Sequence, residues 1–140
     1  MYFLDSNTCI HYLNGRSASV RNRILITPPI EVAIPSIVKA ELLLGAYKSK
    51  SRRSTLEKLE KFLQPFEIVP FEDQTAYHYA EIRSTLERDG EIIGPNDLLI
   101  ASTALFHDAI LVTSNVSEFS RVPGLRIEDW MEDNGPTAST

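Results

Sequence analysis

Five short apolar runs, separated by segments with helical periodicity, constrain the fold of this chain more than any other feature of its sequence. The runs do not alternate apolar with polar residues, which is typical of strands buried on both faces of a sheet. Strands separated by helices pair in parallel, because parallel neighbours need a crossover connection. We therefore predict an α/β fold, a three-layer sandwich with a short parallel sheet of four to five strands covered by helices. The runs are residues 2–4, 32–34, 67–69, 110–113 and 125–127.

Helical patterns fill most of the segments between these runs. Asn7 is predicted to cap the first helix, since a short amide side chain can accept a hydrogen bond from the first turn. In the second predicted helix, Ile37, Ala40, Leu44 and Tyr47 recur on one face, and this stripe is predicted to face the core. The predicted helices cover residues 8–13, 37–48, 53–63, 74–88, 95–105 and 116–119, and Asp73 is the predicted cap of the fourth.

The length and the cysteine content favour one domain in a reducing compartment. The chain has 140 residues, which suits a single core. We predict that residues 1–131 form this domain and that the polar residues 132–140 form a flexible tail. The single cysteine, Cys9, excludes an intramolecular disulfide framework, and no apolar run is long enough to cross a membrane. We expect a cytoplasmic protein that does not contact membranes.

The charges are distributed unevenly along the chain, although the net charge of −5 is modest. Residues 1–61 contain ten Lys or Arg and five Asp or Glu, whereas residues 62–140 contain four and fourteen. One basic segment in the first half has the charge to contact a phosphate backbone. The alternative is a solvated helix surface, because mixed charged faces are common. The segment contains Lys48, Lys50, Arg52 and Arg53, and Lys58 and Lys61 extend the same basic stretch.

Acidic and polar side chains follow two of the predicted strands and begin one of the helices. In a parallel sheet, ligands bind beyond the carboxyl ends of the strands, where the strand order reverses. Several carboxylates that meet there repel one another unless a cation lies between them. Their hard oxygen atoms suit Mg²⁺ or Mn²⁺. The candidates are Asp5 after the first strand, Glu41 in the second helix, Asp97 at the start of the fifth helix, and Thr113, Ser114, Asn115 and Glu118 after the fourth strand.

Each candidate acid also has a purely structural interpretation. Asp5 suits a turn or a helix cap, Asp97 suits the positive end of a helix dipole, and Glu41 suits the solvent edge of an apolar helix. A zinc site is disfavoured, because Cys9 and the three histidines lack ligand spacing. The chain has no Gly-x-Gly-x-x-Gly, Gly-Lys-Ser/Thr or Gly-x-Ser-x-Gly motif, which argues against dinucleotide, P-loop and serine-hydrolase sites.

Two functions without a metal centre stay open at this level. The first is a non-catalytic α/β module that binds another protein, in which the acids serve only as caps and solubilising groups. The second is a small phosphohydrolase that uses Asp5, because Asp5-Ser6-Asn7-Thr8 approaches the pattern Asp-x-Asp-x-Thr. Asn7 stands where that pattern has its second acid.

Five stretches of the chain match, in order, the motifs of one protein family. They are Phe3-Leu4-Asp5-Ser6-Asn7, Ser36-x4-Glu41-Leu42-x2-Gly45, Gly94-Pro95-Asn96-Asp97-Leu98-Leu99-Ile100-Ala101, Leu111-Val112-Thr113-Ser114-Asn115-Val116-x-Glu118-Phe119 and Val122-Pro123-Gly124-Leu125. The chain resembles a PIN-domain ribonuclease, in particular the VapC toxins of toxin–antitoxin pairs. The resemblance implies an endoribonuclease that depends on Mg²⁺ or Mn²⁺, cleaves structured RNA and is neutralised by a cognate antitoxin. It also implies a homodimer that takes part in a larger toxin–antitoxin assembly.

The resemblance also implies a role for each candidate acid. The family's first three acids fall on Asp5, Glu41 and Asp97, and Asp5 and Asp97 would hold the metal. The family often has Asp where this chain has Asn115, so Glu118 is expected to supply the fourth catalytic acid. Whether Asn115 or Glu118 is the further ligand, and whether one ion or two are bound, is open at this level. Thr113 and Ser114 are expected to support the ligands, and the basic segment is the expected RNA-binding surface.

Overall fold

Five parallel strands form the centre of the fold in the computed structural model, which describes residues 1–132. They are β1 (Tyr2–Leu4), β2 (Val32–Pro35), β3 (Glu67–Val69), β4 (Ile110–Val112) and β5 (Arg126–Glu128). Neighbouring strands pair in parallel throughout, in the order β3-β2-β1-β4-β5. Every predicted run is therefore a strand, and each strand end agrees with the prediction to within one residue.

Seven α-helices pack against this sheet in the described residues. They are α1 (Ser6–Leu13), α2 (Ala18–Ile26), α3 (Ser36–Lys48), α4 (Arg52–Leu63), α5 (Thr75–Arg88), α6 (Pro95–Phe106) and α7 (Val116–Phe119). The first four pack against one another, and α5 packs along α6. Right-handed crossovers in this strand order place α1 to α4 on one face and the later helices on the other. The predicted three-layer α/β sandwich is confirmed.

No helix within residues 1–132 is both long enough and apolar enough to cross a membrane.

The strand order reverses between β1 and β4, which lie side by side in the middle of the sheet. The chain adds β2 and β3 on one side of β1, and then returns to add β4 and β5 on the other side. Leu4 at the end of β1 pairs with Val112 at the end of β4, and the Asp5 N–H donates to the Val112 carbonyl at 3.0 Å. Because the two strands end at the same level, the residues that follow them are neighbours at the carboxyl edge of the sheet.

The sequence pattern does not predict α2 or the short 3₁₀ helix at Pro29–Glu31. Only Val20 and Ile24 of α2 are buried, so its amphipathic spacing consists of a single i, i+4 pair. Two apolar residues at the end of this helix are exposed, which obscures the pattern further. Ser17 does provide a signal for the start of a helix, since its side chain accepts a hydrogen bond from the Val20 N–H.

The predicted inward face of α3 is wrong. The residues that α3 buries are Val38, Leu42 and Ala46. Apolar residues surround this helix on nearly all sides, so their periodicity does not select one face. The positions of β2 and α4, which pack against α3, make the selection instead. Of the predicted stripe, Ala40, Leu44 and Tyr47 are exposed and Ile37 is partly buried.

The last described residues pack back onto β1 and α2. Trp130 is only 2% exposed, and its ring meets the Tyr2 ring edge-on, with 5.2 Å between the centroids. The Arg23 guanidinium lies 4.7 Å from the centroid of the indole. Glu128 accepts hydrogen bonds from Arg23 Nη2 at 3.3 Å and from Trp130 Nε1 at 3.0 Å. The chain is therefore part of the core as far as Trp130. Of the predicted flexible tail, residues 133–140 lie outside the described residues.

Truncation of Trp130 tests this packing. We expect Trp130→Ala to lower the free energy of unfolding by about 3 to 5 kcal/mol, the usual cost of removing a buried tryptophan side chain. Met131→Ala is the matched control, because Met131 is 41% exposed and a surface change of this kind costs about 0.5 kcal/mol. Urea unfolding followed by circular dichroism measures both values. Equal losses in the two variants would show that the indole does not contribute to the core.

Candidate active site

Asp5 lies at the carboxyl end of β1 with only 4% of its surface exposed. Its Oδ1 accepts a hydrogen bond from the Thr8 N–H at 3.0 Å, so Asp5 caps α1, which begins at Ser6. The predicted cap, Asn7, is wrong, because Asn7 is already inside the helix. Asp5 Oδ2 accepts a hydrogen bond of 2.5 Å from the Thr113 hydroxyl, which follows β4. One donor from α1 and one from the end of β4 therefore fix the carboxylate.

Burial raises the pKa of Asp5, and hydrogen bonds from Thr113 and Thr8 act in the opposite direction. The negative charge of Glu41 raises this pKa further. A nucleophilic carboxylate has to reach a phosphorus atom, whereas a metal ligand needs only one free lone pair. With both oxygens bonded and almost no exposed surface, Asp5 is poorly placed to be the nucleophile of a phosphohydrolase.

Asp97 and Glu118 lie against the same glycine. Asp97 is in the first turn of α6, and Glu118 is in α7. A Cβ atom on Gly94 would lie 3.5 Å from Asp97 Oδ2 and 3.6 Å from Glu118 Oε1. The Gly94 N–H donates to Glu118 Oε1 at 2.7 Å. The lack of a side chain at residue 94 therefore leaves space beside both carboxylates and lets the backbone bind one of them.

The pKa of Asp97 is raised to about 7, mainly by burial and by the negative charge of Glu118. Glu41 and Asp5 raise this pKa further. The pKa of Glu118 is lowered, chiefly by the hydrogen bond from the Gly94 N–H and also by the Asn115 amide. Asp97 thus experiences the negative charge of all three other candidate acids, and near neutral pH it carries a proton in part of the molecules.

Asn115 supports Glu118. Its Nδ2 donates to Glu118 Oε2 at 2.6 Å, and its backbone N–H donates to the Thr113 hydroxyl at 3.0 Å. Because the amide nitrogen faces Glu118, the carbonyl oxygen of Asn115 is turned away from that carboxylate. This arrangement favours Glu118 as the fourth acid and Asn115 as its hydrogen-bonding neighbour.

Glu41 reaches the same region from α3. Its Oε1 accepts a hydrogen bond of 2.5 Å from the Ser6 hydroxyl, and its Oε2 accepts one of 3.3 Å from Asn96 Nδ2. Ser6 directly follows Asp5, and Asn96 directly precedes Asp97. The two donors therefore connect Glu41 with the segments that carry both of those acids. Glu41 is partly exposed, as expected for a residue at the edge of the buried face of α3.

The structure thus brings four acids from separate parts of the chain to the carboxyl ends of β1 and β4. We call Asp5, Glu41, Asp97 and Glu118 the acid cluster. In the described part of the chain, no hydrogen bond connects Ser114 to these acids. Sequence reasoning assigned no role to four further residues that bond them. These residues, Ser6, Thr8, Gly94 and Asn96, lie within three positions of an acid in the sequence, but proximity alone does not show which of them reaches a more distant acid.

The carboxylate oxygens of the acid cluster are chemically suited to bind a hard divalent cation. Within residues 1–132, no three His, Cys, Asp or Glu side chains are gathered closely enough to hold a metal ion as they stand. All four members nevertheless offer carboxylate oxygens, which are the ligands that Mg²⁺ and Mn²⁺ prefer. The raised pKa of Asp97 also reflects repulsion that a cation would relieve. Cys9, in contrast, is a buried free thiol of the core.

The basic segment lies at the end of α3 and the start of α4, and all four of its side chains are exposed. Arg52 has a structural task, because its Nε and Nη2 donate to the Tyr47 carbonyl at 3.1 and 2.9 Å and so satisfy the end of α3. Lys48 follows Glu41 by seven residues, which corresponds to about 10 Å along a helix axis. One extended polyanion is therefore long enough to contact both the basic segment and the acid cluster.

Known proteins are similar to this chain in sequence and in fold. Residues 2–125 match the PIN domain. The chain is 44% identical over 131 residues to Ribonuclease VapC2 of Rickettsia felis, which covers 93% of this chain and 98% of that protein. It is 37% identical over 129 residues to the tRNA(fMet)-specific endonuclease VapC of Salmonella typhimurium, which covers 92% of this chain and 97% of that protein.

Two solved structures are similar to this chain in fold as well as in sequence. VapBC2 from Rickettsia felis, bound to a DNA fragment from its promoter, has a TM-score of 0.86 at 43% identity and covers 92% of this chain and 98% of that chain. DNA-bound VapBC from Salmonella typhimurium has a TM-score of 0.87 at 37% identity and covers 92% of this chain and 97% of that chain. Because the domain match and both relatives extend over most of its length, the chain belongs to the PIN-domain family and, within it, to the VapC ribonucleases.

Proposed function

We propose that this chain is the toxin of a toxin–antitoxin pair, a metal-dependent endoribonuclease that hydrolyses phosphodiester bonds in structured RNA. One observation carries the proposal. Four carboxylates from separate elements lie near one another at the carboxyl ends of β1 and β4, and burial together with their negative charges raises the pKa of Asp97 to about 7. Such a cluster is unfavourable for folding by itself. A divalent cation and the phosphate that it binds are the ligands that suit this arrangement.

We assign the metal to Asp5 and Asp97, with Glu118 as an outer acid. Held there, Mg²⁺ or Mn²⁺ would activate water and neutralise the charge that develops on phosphate during hydrolysis. The Thr8 N–H and the Thr113 hydroxyl hold one oxygen each of Asp5, so a single carboxylate orientation is presented to the ion. The Gly94 N–H keeps Glu118 ionised beside Asp97.

We assign to Glu41 the role of orienting the attacking water. Ser6 and Asn96 hold its two oxygens, and its partial exposure leaves lone pairs accessible. We propose that Glu41 accepts a hydrogen bond from the water that attacks phosphorus in line with the leaving oxygen. Asp5, Glu41, Asp97 and Glu118 are thus the proposed catalytic acids.

The relatives support a substrate class and a partner. The Salmonella relative is a tRNA(fMet)-specific endonuclease by name, so we propose a structured RNA such as initiator tRNA as the substrate, with Lys48, Lys50, Arg52 and Arg53 as contacts to its backbone. The two structural relatives are VapBC complexes. We therefore propose that a VapB-like antitoxin neutralises this chain, and that the toxin is a homodimer within the resulting assembly.

An apolar groove beside the acid cluster is where we place a segment of the antitoxin. The groove has a volume of about 300 Å³ and is lined by residues of α1, α3 and α4, among them Ile10, Leu42 and Leu59. Glu41 also lines it, so the groove leads into the acid cluster. A partner segment with apolar side chains followed by Arg would bury this surface and pair its guanidinium with the carboxylates.

We place the protein in the cytoplasm, where RNA is available and the buried free thiol of Cys9 stays reduced. We also take residues 1–131 as one catalytic domain, because a single sheet includes strands from Tyr2 to Glu128.

Substitution of the acids tests the proposed activity. We expect Asp5→Asn, Glu41→Gln and Asp97→Asn each to lower the rate of RNA cleavage by at least about 100-fold, because the acid cluster acts as one unit. Glu60→Gln is the matched control, since Glu60 is exposed on α4 and lies outside the cluster. Purified proteins are assayed with initiator tRNA and Mn²⁺, and circular dichroism confirms that each variant is folded. Wild-type cleavage by Asp97→Asn protein would refute the site, and full activity in excess chelator would refute the need for a metal.

The affinity for Mn²⁺ is expected to rise with pH through neutrality. The pKa of Asp97 is raised to about 7, and a protonated carboxyl group must lose its proton before it binds a cation. Thermal-shift titrations with Mn²⁺ at about pH 6 and about pH 8 measure this change. The Asp97→Asn variant should lose most of the pH dependence. An equal affinity of the wild type at both pH values would contradict the role of Asp97.

In the absence of a cation, the same group should make stability depend on pH in the opposite sense. The folded protein holds the Asp97 proton up to a pKa of about 7, whereas the ordinary value is 3.8. The folded state therefore binds more protons, and the contribution of Asp97 to stability falls as pH rises from about 4 to about 7. Urea unfolding in chelator, compared with Asp97→Asn, measures this contribution.

Three substitutions distinguish the role of Asn115 from that of Glu118. Asn115→Asp replaces a donor that lies 2.6 Å from Glu118 Oε2 with another negative charge, so it should lower the metal-free melting temperature and increase the stabilisation by Mn²⁺. Asn115→Ala should do little beyond loosening Glu118, whereas Glu118→Gln should weaken Mn²⁺ binding. Parallel Mn²⁺ titrations and cleavage assays decide the matter. Unchanged affinity and cleavage in all three variants would restrict the site to Asp5, Glu41 and Asp97.

A further inference from the structure

Arg121 is the one arginine after residue 61 that forms no ion pair in the described part of the chain. The other three, Arg83, Arg88 and Arg126, each lie within 3.5 Å of a carboxylate oxygen. Residues 62–140 contain fourteen acids and only these four basic residues, so carboxylate partners are plentiful in this half of the chain. Arg121, three residues after Glu118, is nevertheless exposed and forms no ion pair in the described residues, although its positive charge lowers the pKa of Glu118.

Arg121 and Glu118 hold the loop of residues 89–94 at two neighbouring points. Arg121 Nη1 donates to the Ile92 carbonyl at 3.0 Å, and Glu118 Oε1 accepts from the Gly94 N–H at 2.7 Å. The guanidinium is therefore anchored to the rim of the acid cluster through one of its N–H groups. Its other N–H donors have no partner within residues 1–132.

The position of Arg121 would help to offset the repulsion between the acid cluster and its substrate. Four carboxylates repel a polyanion, and a cation bound among them offsets that repulsion at one phosphate only. The neighbouring phosphates of the same strand need fixed positive charge on the protein. An arginine presents a planar fork of donors that matches two phosphate oxygens, and one that is anchored in advance loses little entropy on binding.

We propose that Arg121 binds a phosphate of the RNA strand next to the phosphodiester that is cleaved, and so positions the strand over the acid cluster. The proposal rests on the ribonuclease function proposed above. It adds an RNA contact from the second half of the chain to the contacts proposed for the basic segment in the first half. Arg121 acts in substrate binding, whereas the acid cluster performs the hydrolysis.

Kinetics at several salt concentrations test the proposal with Arg121→Gln, Arg121→Lys and the control Arg88→Gln. Arg88 is exposed as well, but it lies at the end of α5 and pairs with Asp89. For initiator tRNA and Mn²⁺, we expect Arg121→Gln to raise KM about tenfold and to change kcat less than about twofold. Arg121→Lys, which keeps the charge, should stay within about threefold of the wild-type KM. The plot of log KM against log salt concentration should become shallower by about 0.7 to 0.9 for Arg121→Gln, the loss of one phosphate contact.

Two further measurements separate binding from structure. Stabilisation by Mn²⁺ in thermal shift should be no weaker for Arg121→Gln than for wild type, because all four acids are kept and the positive charge that acts on Glu118 is removed. In the cleavage-deficient Asp97→Asn protein, adding Arg121→Gln should weaken tRNA binding about tenfold by fluorescence anisotropy.

Three results would overturn the proposal while leaving the ribonuclease function intact. These are an unchanged KM and salt dependence in Arg121→Gln, an equal change in Arg88→Gln, or a loss confined to kcat, which would indicate that Arg121 only supports the loop beside Glu118. If the wild-type protein neither cleaves nor binds tRNA, the proposed function itself fails and Arg121 has no such role.

Discussion

The parallel register between β1 and β4 is the constraint on which the candidate site depends. Leu4 pairs with Val112, so both strands end at the same level and Asp5 meets the Thr113 hydroxyl. The strand order reverses at this point, and helices leave it in opposite directions, which opens a crevice at the carboxyl edge of the sheet. A slip of one residue would turn Asp5 towards the other face of the sheet and separate it from Thr113. The other three acids of the cluster lie near Asp5 only because this register holds.

Asp5 serves the fold and the site together, and the two roles make opposite demands. As the cap of α1 it contributes about 1 kcal/mol to stability, whereas its burial raises its pKa and penalises the ionised form. Hydrogen bonds from Thr8 and Thr113 offset part of that penalty. At Asp97, burial and the negative charge of Glu118 raise the pKa to about 7. The acid cluster therefore retains unbalanced negative charge, and a cation that binds only the folded state would stabilise the protein by relieving it.

The strands and most helices were accessible from the sequence because their signals are local. Unbroken apolar runs identify the strands, and Pro95 with Gly94 before it identifies the start of α6. The sequence does not predict α2, because a helix that buries only Val20 and Ile24 has little apolar periodicity. The buried face of α3 escapes prediction for a different reason, since apolar residues on nearly all sides leave the choice to the elements packed against it. In both cases the missing information lies in tertiary contacts.

The residue types at the strand ends, and the parallel pairing that a repeated β–α pattern predicts, already indicated that acids would meet at one edge of the sheet. The donors that orient each acid were decided only by the tertiary structure. Ser6 and Glu41 are 35 residues apart, and Asp5 and Thr113 are 108 residues apart. Hydrogen bonds require atoms to agree to within a few tenths of an ångström, and sequence spacing does not define the position of one element relative to another with that accuracy. The residue types therefore determined the chemistry of the site. Its hydrogen-bonding geometry and the raised pKa of Asp97 arise from how the sheet and the helices pack.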